Sequence, residues 1–557
     1  MTFGTLKPRG KRRLIYVSDP SNTTSHLSEP AAQPDELRQI VRNYAQAGHI
    51  DTVVQEIFAE SMTMFWRTDK CSYDIRFQHQ RLIPMMDSGT MPVEIYIDEC
   101  HKQGMEFIAG FRMNDRHGHF PAHFKKLCEE KPEWVLREYK PSTKKAPPES
   151  HEYGCSINYA VPEVREWLLS LMEEVANRFD IDGLEFNFTR LLECFPLDVL
   201  DKSHEIMNDF MRQVRHMLDK AGQEKGRDLI LGVRVIEQLK GCQQASLDIP
   251  TWITEGLIDY VAPGDFGFTD FNEKYEDFTS IARAHNCYVY PQIQPRLSIT
   301  DTERIMQIAQ YRAAIQNFYG AGADGFSTQN FFFHWGPKFD TPGDSGSEIP
   351  SEYPSAMNFL REFKDPEAMA NVPDRHYIFI PIWNAQKGLG QWYKKEAITL
   401  SSDKPGQRDT FRFRICENLS SESTDPQNRM TFYAQGLSQS DVLTVEINDR
   451  EIPTAQQKWD WPKESDDVPS CTIALSDPPF TYGDNYLALT LTKSTPDTPK
   501  EVIVEQVECW IQYTITQNTR IKPYATRNTI TRSTPASGSH GQAHIENPNG
   551  RCRCKSS

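Results

Sequence analysis

The sequence predicts an α/β fold: a (β/α)8 TIM barrel over residues 1–365, followed by an antiparallel β-sandwich over 366–516. Three observations predict it. Eight strand–helix units follow one another through the first two-thirds of the chain. Beyond about residue 365, helical periodicity gives way to short alternating runs separated by Asp, Gly, Pro and Ser clusters. The fourth strand, within "FDIDGLEFNFTR", puts Glu185, Asn187 and Thr189 on one face and Leu184, Phe186 and Phe188 on the other.

The units read in order. Strand one is "RLIYVSD", followed by the helix "PDELRQIVRNYAQAG". Strand two is "DTVVQEIF", followed by "MPVEIYIDECHKQG". Strand three is "EFIAGFRMND"; a long loop containing "KPEWVLREYKPSTKKAPPES" then leads to the helix "VPEVREWLLSLMEEVANRF". Strand four is "DGLEFNFTR", with the helix "SHEIMNDFMRQVRHMLDKAG" behind it. Strand five is "LILGVRVIE", then "DIPTWITEGL"; strand six is "IDYVAPGD", then "YEDFTSIARAHN". Strand seven is "CYVYPQIQP", then "TDTERIMQIAQYRAAIQNFYGAG", and strand eight is "ADGFSTQNF". Parallel strands covered on both faces read as short apolar runs, and the helices between them as longer runs of 3.6-residue period. Doubly wound folds rarely reach eight such units, and a barrel requires eight.

The second region reads as strands "AITLSS", "TFRFRIC", "MTFYAQGL", "VLTVEIND", "CTIALSD", "NYLALTLT" and "VIVEQVECWIQYT". From about Gln517 to residue 557 the chain is rich in Thr, Ser, Arg, Asn and Gly and poor in large apolar residues, so a disordered tail is expected.

Bulk properties narrow the function. With 557 residues the chain exceeds one small core. A net charge of −16 argues against a nucleic-acid partner, which needs basic surface. No apolar run is long enough to span a bilayer, so no membrane partner is expected. Twelve cysteines are scattered singly without a C-x-x-C pair, which reads as reduced thiols. "LIYV" is too short for the apolar region of a leader. As written, the chain reads as cytoplasmic, and as secreted only if its N-terminus is incomplete.

In a barrel, side chains at the C-terminal strand ends face the active site. Those positions here are polar. Glu185, Asn187 and Thr189 face the axis from strand four. Arg112 and Asn114 share a face of strand three, Arg234 lies on strand five, and Gln292 and Gln294 share a face of strand seven. Asp115, Glu237, Asp265 and Asn330 stand at the mouths of strands three, five, six and eight. Convergent buried polar groups are costly unless they pair or bind something. Several carboxylates in one mouth suit glycosidic cleavage: one carboxylic acid protonates the leaving oxygen, and a second carboxylate attacks carbon or activates water. Glu185 with Asp265 is the first expected pair and Glu185 with Glu237 the second, with Arg112 and Arg234 as possible partners of Glu185. Expected substrate-binding residues are Arg112, Asn114, Asp115, His117, Asn187, Arg190, Arg234, Gln292, Gln294, Asn330, His334 and Trp335. A metal site at "NDRHGHFPAH", around Asp115, His117, His119 and His123, is weighed and set aside, because metal hydrolases with an H-x-H motif carry it on strand one. No cofactor is expected.

The run "KPEWVLREY … GCSINYAVPEVREWLLSLMEEVANRFDIDGLEFNFTR", with "FRMNDRHGH", "WITEGLIDYVAPGDF" and "GADGFSTQNFF", resembles the bacterial family-ten-like glycosylhydrolases over most of residues 12 to 335. The resemblance implies a TIM barrel acting on carbohydrate, often with a β-sandwich appended. It also implies an Asp two residues after the strand-four Glu, where this chain has Asn187, an amide suited to holding a substrate hydroxyl or orienting a neighbour. The leading expectation is therefore a glycoside hydrolase acting on an oligo- or polysaccharide. The alternatives are a non-catalytic carbohydrate-binding barrel and a metal-dependent hydrolase.

Overall fold

The structure, a computed structural model, describes residues 14–20, 24, 27, 31–59, 62–74, 77–115, 127, 129–136, 156–265, 267–297, 305–331, 354–369, 374–380, 396–419, 427–461, 468–476, 479–494 and 501–513. Strands and helices alternate through its first part: β1 (Leu14–Ser18), α1 (Pro34–Gln46), β2 (Thr52–Ala59), α2 (Pro92–Lys102), β3 (Glu106–Arg112), α3 (Pro162–Arg178), β4 (Gly183–Asn187), α4 (Ser203–Lys225), β5 (Ile230–Val235), α5 (Ile249–Thr254), β6 (Tyr260–Pro263), α6 (Glu276–Ala284), β7 (Tyr288–Val289 and Gln292–Ile293), α7 (Ile308–Gly320) and β8 (Phe326–Thr328). Shorter helical turns lie between them.

These strands form a curled parallel sheet in the order β7–β6–β5–β4–β3–β2–β1–β8–β7. The two halves of β7 sit at opposite ends of that order. Tyr288–Val289 pairs with β6, and Gln292–Ile293 pairs with β8. Pro291 separates them. It has no N–H to give a ladder, but its carbonyl accepts from Ser327 N at 2.9 Å.

The two faces of the sheet bury different things. Leu184, Phe186 and Phe188 join the large outer core with helix residues such as Leu168, Leu171, Met172 and Val175 of α3, which recur at the helical period. On the inner face, Ile15, Val17, Val54, Ile108, Ile230 and Tyr260 from five strands, with Tyr290 between the two halves of β7, form a separate small cluster. This apolar plug is the floor on which the polar strand ends stand.

Later in the chain, the described residues form ten antiparallel strands: β9 (Asp374–Phe379), β10 (Ile398–Ser401), β11 (Arg408–Ile415), β12 (Arg429–Gln435), β13 (Val442–Ile447), β14 (Arg450–Glu451), β15 (Lys458–Asp460), β16 (Ser470–Ala474), β17 (Gly483–Lys493) and β18 (Glu501–Gln512). One sheet is β9–β18–β12–β16–β15 with β10 also on β18, and the other is β11–β17–β13–β14. The seven runs read from the sequence are all strands. β9, which pairs with β18 along six residues, was not anticipated.

The two regions are fastened by polar clasps. Asn272 Nδ2 donates to the Arg412 carbonyl at 2.6 Å, and Arg412 Nη2 returns a bond to the Asn272 carbonyl at 2.6 Å. Asn317 of α7 bridges the carbonyls of Phe271 and Arg414, both at 2.8 Å, and accepts from Cys416 N at 3.0 Å. The chain separates into two contact units, Met1–Ile515 and Thr516–Ser557. The tail expected over 517–557 lies outside the described residues.

Candidate active site

The inner face of the sheet rises in rows set by strand register. Gly110, Glu185, Gly232 and Tyr260 share one row, with Glu56 across from Gly110. Arg112, Asn187, Arg234 and Ala262 share the next. The glycines matter for space. A Cβ on Gly232 would lie 2.0 Å from the Tyr260 ring, and one on Gly110 would lie 3.0 Å from the Glu56 backbone. Only bare backbone lets the tyrosine and the glutamate lean inward.

Glu185 lies on the inner face of the sheet and is buried. Both its oxygens are engaged. Arg234 Nε donates to Oε1 at 2.9 Å, Arg234 Nη2 donates to Oε2 at 3.2 Å, and the Tyr260 hydroxyl donates to Oε2 at 2.7 Å. Arg234 Nη2 also reaches Ser327 Oγ at 2.6 Å, while its Nη1 is buried without a hydrogen-bond partner.

Arg112 takes a different set of partners. It reaches Asp115 at 2.7 Å, Glu56 at 2.5 Å, and Asp19. Burial alone would lower its pKa, yet the carboxylates of Glu56, Asp19 and Asp115 together hold it well above the ordinary arginine value. Asn187 closes this network. Its Nδ2 donates to Glu56 Oε1 at 3.0 Å, and its Oδ1 accepts from Thr189 N at 3.0 Å and Thr189 Oγ1 at 2.8 Å.

The third group lies beyond β5 and β6. Glu237 and Asp265 each follow by two residues the register pair Val235 and Pro263. Both are buried. Asp265 Oδ1 accepts from Gly267 N at 2.7 Å. Glu237 Oε2 is buried without a hydrogen-bond partner. Burial, then the charges of Asp265, Glu273 and Asp270, push the Glu237 carboxyl well above its ordinary range.

The other expected residues divide between internal bracing and the open mouth. Asn114 donates to the Glu193 carbonyl at 2.7 Å and accepts from Ile157 N at 2.9 Å. Gln292 Nε2 lies within 3.0–3.2 Å of the carbonyls of Val235, Ala262 and Gly264. Gln294 Nε2 donates to the Asp265 carbonyl at 2.9 Å, and Gln294 Oε1 accepts from Asn330 at 3.3 Å. These amides tie strand ends together. Asn330 is in the left-handed region at φ 52°. Arg190 is half-buried just after β4. His117, His119, His123, His334 and Trp335 lie outside the described residues. Among the described residues, no group of three or more His, Cys, Asp or Glu side chains could hold a metal ion.

The sequence reading missed Asp19, Glu56 and Tyr260. Period-two alternation from Val54 to Glu56 carries a signal for the second, and Asp19 directly follows strand one. Nothing local marks Tyr260 as the residue that caps Glu185.

Residues 21–204 match the family described as Glycosyl hydrolase-like 10. The resemblance read from the sequence is shown over that span. Over 227 residues the chain is 25% identical to the glycosyl hydrolase YngK of Bacillus subtilis (strain 168), an alignment covering 33% of this chain and 41% of that protein. The chain thus spans less than half the length of that relative. Two solved structures similar to it are an alpha-L-fucosidase isoenzyme 2 from Paenibacillus thiaminolyticus and a maltogenic alpha-amylase AmyB from Thermotoga neapolitana. The first has 12% identity and a TM-score of 0.40, covering 66% of this chain and 51% of the other. The second has 13% identity and a TM-score of 0.38, covering 86% and 99%. No helix among the described residues is long and apolar enough to cross a membrane.

Proposed function

We propose that the chain is a glycoside hydrolase acting on an oligo- or polysaccharide by carboxylate acid–base chemistry. Its eight strand–helix units would close into a (β/α)8 barrel over residues 1–365, with a β-sandwich over 366–516 and a tail over 517–557. The observation that carries this proposal is the buried Glu237 carboxyl. Its Oε2 has no hydrogen-bond partner, and burial, then the charge of Asp265, pushes the carboxyl well above its ordinary range. A carboxyl that holds its proton more tightly than usual suits protonation of a departing glycosidic oxygen.

Among the three expected carboxylates, the geometry favours Glu237 as acid and Asp265 as its partner, attacking carbon or activating water. Glu185 is already engaged by Arg234 and Tyr260. Its role here is to fix Arg234 in the row above it. Arg112, locked among three carboxylates, fixes the opposite wall. Asn187 and Arg234 stand in the same row and would meet substrate hydroxyls from two sides.

A second reading, a carbohydrate-binding barrel without turnover, is favoured by one observation. Asn187 stands where the resembled family carries Asp, and its amide donates to Glu56. A screen of poly- and oligosaccharides with a reducing-sugar readout separates the two. Release of reducing ends that disappears in Glu237→Gln supports hydrolysis; sugar binding by the wild type with no release supports the second reading.

A further inference from the structure

Two carboxyls that share the cleavage of one bond must be held at a fixed separation. Glu237 and Asp265 both lie just past their strand ends. The last register pair between β5 and β6 is Val235 with Pro263, so the ladder no longer sets their distance. A side chain from another strand takes over. Gln292 opens the second half of β7, opposite Ser327 of β8, and is 1% exposed. Its Nε2 lies 3.2 Å from the Val235 carbonyl and 3.0 Å from those of Ala262 and Gly264. The Val235 carbonyl also accepts from Gly264 N at 2.9 Å. One amide thus grips β5 two residues before Glu237 and the end of β6 one residue before Asp265.

The grip has a definite sense. Gln292 Oε1 is buried without a hydrogen-bond partner. An unpaired oxygen there costs roughly 1–3 kcal/mol. Turning the amide would bring that oxygen against three carbonyl oxygens, and only the nitrogen carries hydrogens to give them. Gly264 supplies the space, since a Cβ there would lie 2.6 Å from the Gln292 Cβ. Gln294, two residues on, holds the segment that carries Asp265 at two points. Its Nε2 donates to the Asp265 carbonyl at 2.9 Å and lies 3.4 Å from Gln329 Oε1. Its backbone N donates to Thr269 Oγ1 at 2.7 Å, and its carbonyl accepts from that hydroxyl at 3.0 Å.

We infer that Gln292 is a positioning residue that fixes the separation of the Glu237 and Asp265 carboxyls, with Gln294 as a second brace on Asp265. The consequence for turnover rests on the glycoside-hydrolase proposal; the consequence for the separation is read without substrate.

Glu237 lies within electrostatic reach of Asp265, Glu273, Asp270, the Cys242 thiol and the Tyr275 phenol. Burial pushes the thiol and the phenol well above their ordinary ranges, so both stay neutral in the interval used. If the grip is released, two crowded carboxyls move apart, and Asp265 raises Glu237 less.

The test follows melting temperatures of the full chain from about pH 5 to about pH 9, for the wild type and Gln292→Met, each with and without Glu237→Gln. The Glu237-dependent part falls as pH rises and levels off at the folded pKa of that carboxyl. Methionine fills the space without an N–H, so in Gln292→Met the fall should level off at least about half a pH unit lower. Asp265→Asn should lower the levelling point in the same direction, and adding Gln292→Met to it should move that point no further. A brace without this role would lower melting temperature equally at every pH. That result, a shift that persists in the Asp265→Asn background, or a wild type with no Glu237-dependent fall overturns the inference. If Gln292→Met does not fold, Gln294→Met is read in the same way. On any glycoside the wild type cleaves, Gln292→Met should lower kcat about tenfold or more with KM little changed. Earlier levelling with no glycan cleaved by the wild type removes the hydrolase proposal and leaves the positioning role; turnover by the wild type with a pH-independent loss removes the positioning role alone.

Discussion

Arg234 grips Glu185 with two nitrogens, at 2.9 Å and 3.2 Å, and both side chains are essentially sealed from solvent. Glu185 shares its row with Tyr260, a member of the inner apolar cluster, and Arg234 stands in the next row. Two charges that deep are tolerated because each is the other's solvent.

Removing one partner should therefore be expensive. Arg234→Met leaves a buried carboxylate with only Tyr260, and Glu185→Gln leaves a buried guanidinium. Each should cost about 3–5 kcal/mol in urea melts. The double variant Glu185→Gln/Arg234→Met should cost clearly less than the sum, because no uncompensated charge remains. Strict additivity of the two losses would show that the pair is not coupled as described.

Gly232 tests whether the Tyr260 hydrogen bond depends on space. An added methyl would meet the ring at 2.0 Å. Gly232→Ala should displace Tyr260, break its bond to Glu185, and destabilise by about 1–3 kcal/mol. Tyr260→Phe removes the same bond without the clash and should cost less. Thermal melts of both variants read the comparison, and a Gly232→Ala protein as stable as wild type sinks the packing account.

Asn187 keeps a neutral amide against Glu56 at 3.0 Å. Asn187→Asp would place a second carboxylate there, and like charges at that distance raise the pKa of the new acid. A group raised in the folded state stabilises below its unfolded pKa and loses that contribution as pH rises through its folded pKa. The variant should therefore melt well below wild type at about pH 7.5, with the gap narrowing towards about pH 5. A gap that stays constant across that interval would mean the two side chains do not interact electrostatically.

How much of this was legible in the sequence depends on how local the signal is. The face of strand four could be read because period-two alternation survives from Gly183 to Asn187, with Leu184 and Phe186 in the outer core and Glu185 on the opposite face. The partners of the arginines could not be read. Arg112 and Arg234 flank Asn187 in the same row. Arg234 reaches down to Glu185, while Arg112 turns to Glu56 on β2 and to Asp19 just after β1, both far away in sequence. Glu56 also sits next to a register shift in β2, between Glu56 and Phe58, which blurs simple alternation. Gln292 and Gln294 look like site residues from their spacing. Their amide groups instead bond backbone carbonyls exposed where the strands end, a use that only the folded neighbours reveal.

Glu237 provides the sharpest test of the chemistry. Its carboxyl is raised well above the ordinary range by burial first and by Asp265 next. Two consequences follow from one shift. Catalysis should fall on the alkaline side, as pH rises through the folded pKa and the acid is lost. Folding stability should also fall there, because a raised carboxyl stabilises most below its unfolded pKa of about 4.3 and loses that contribution on ionising. Glu237→Gln keeps the shape and never ionises. On any glycoside the wild type cleaves, it should lower kcat by roughly 10²–10⁴-fold with KM little changed, and its melting temperature should depend less on alkaline pH. Asp265→Asn should cost turnover on a similar scale. Glu185→Gln should affect stability more than turnover, provided melts show that it is still folded at the assay temperature. If Glu237→Gln retains full activity while a folded Glu185→Gln is inactive, the acid is not Glu237, and the buried pair with Arg234 must be read as the catalytic centre instead.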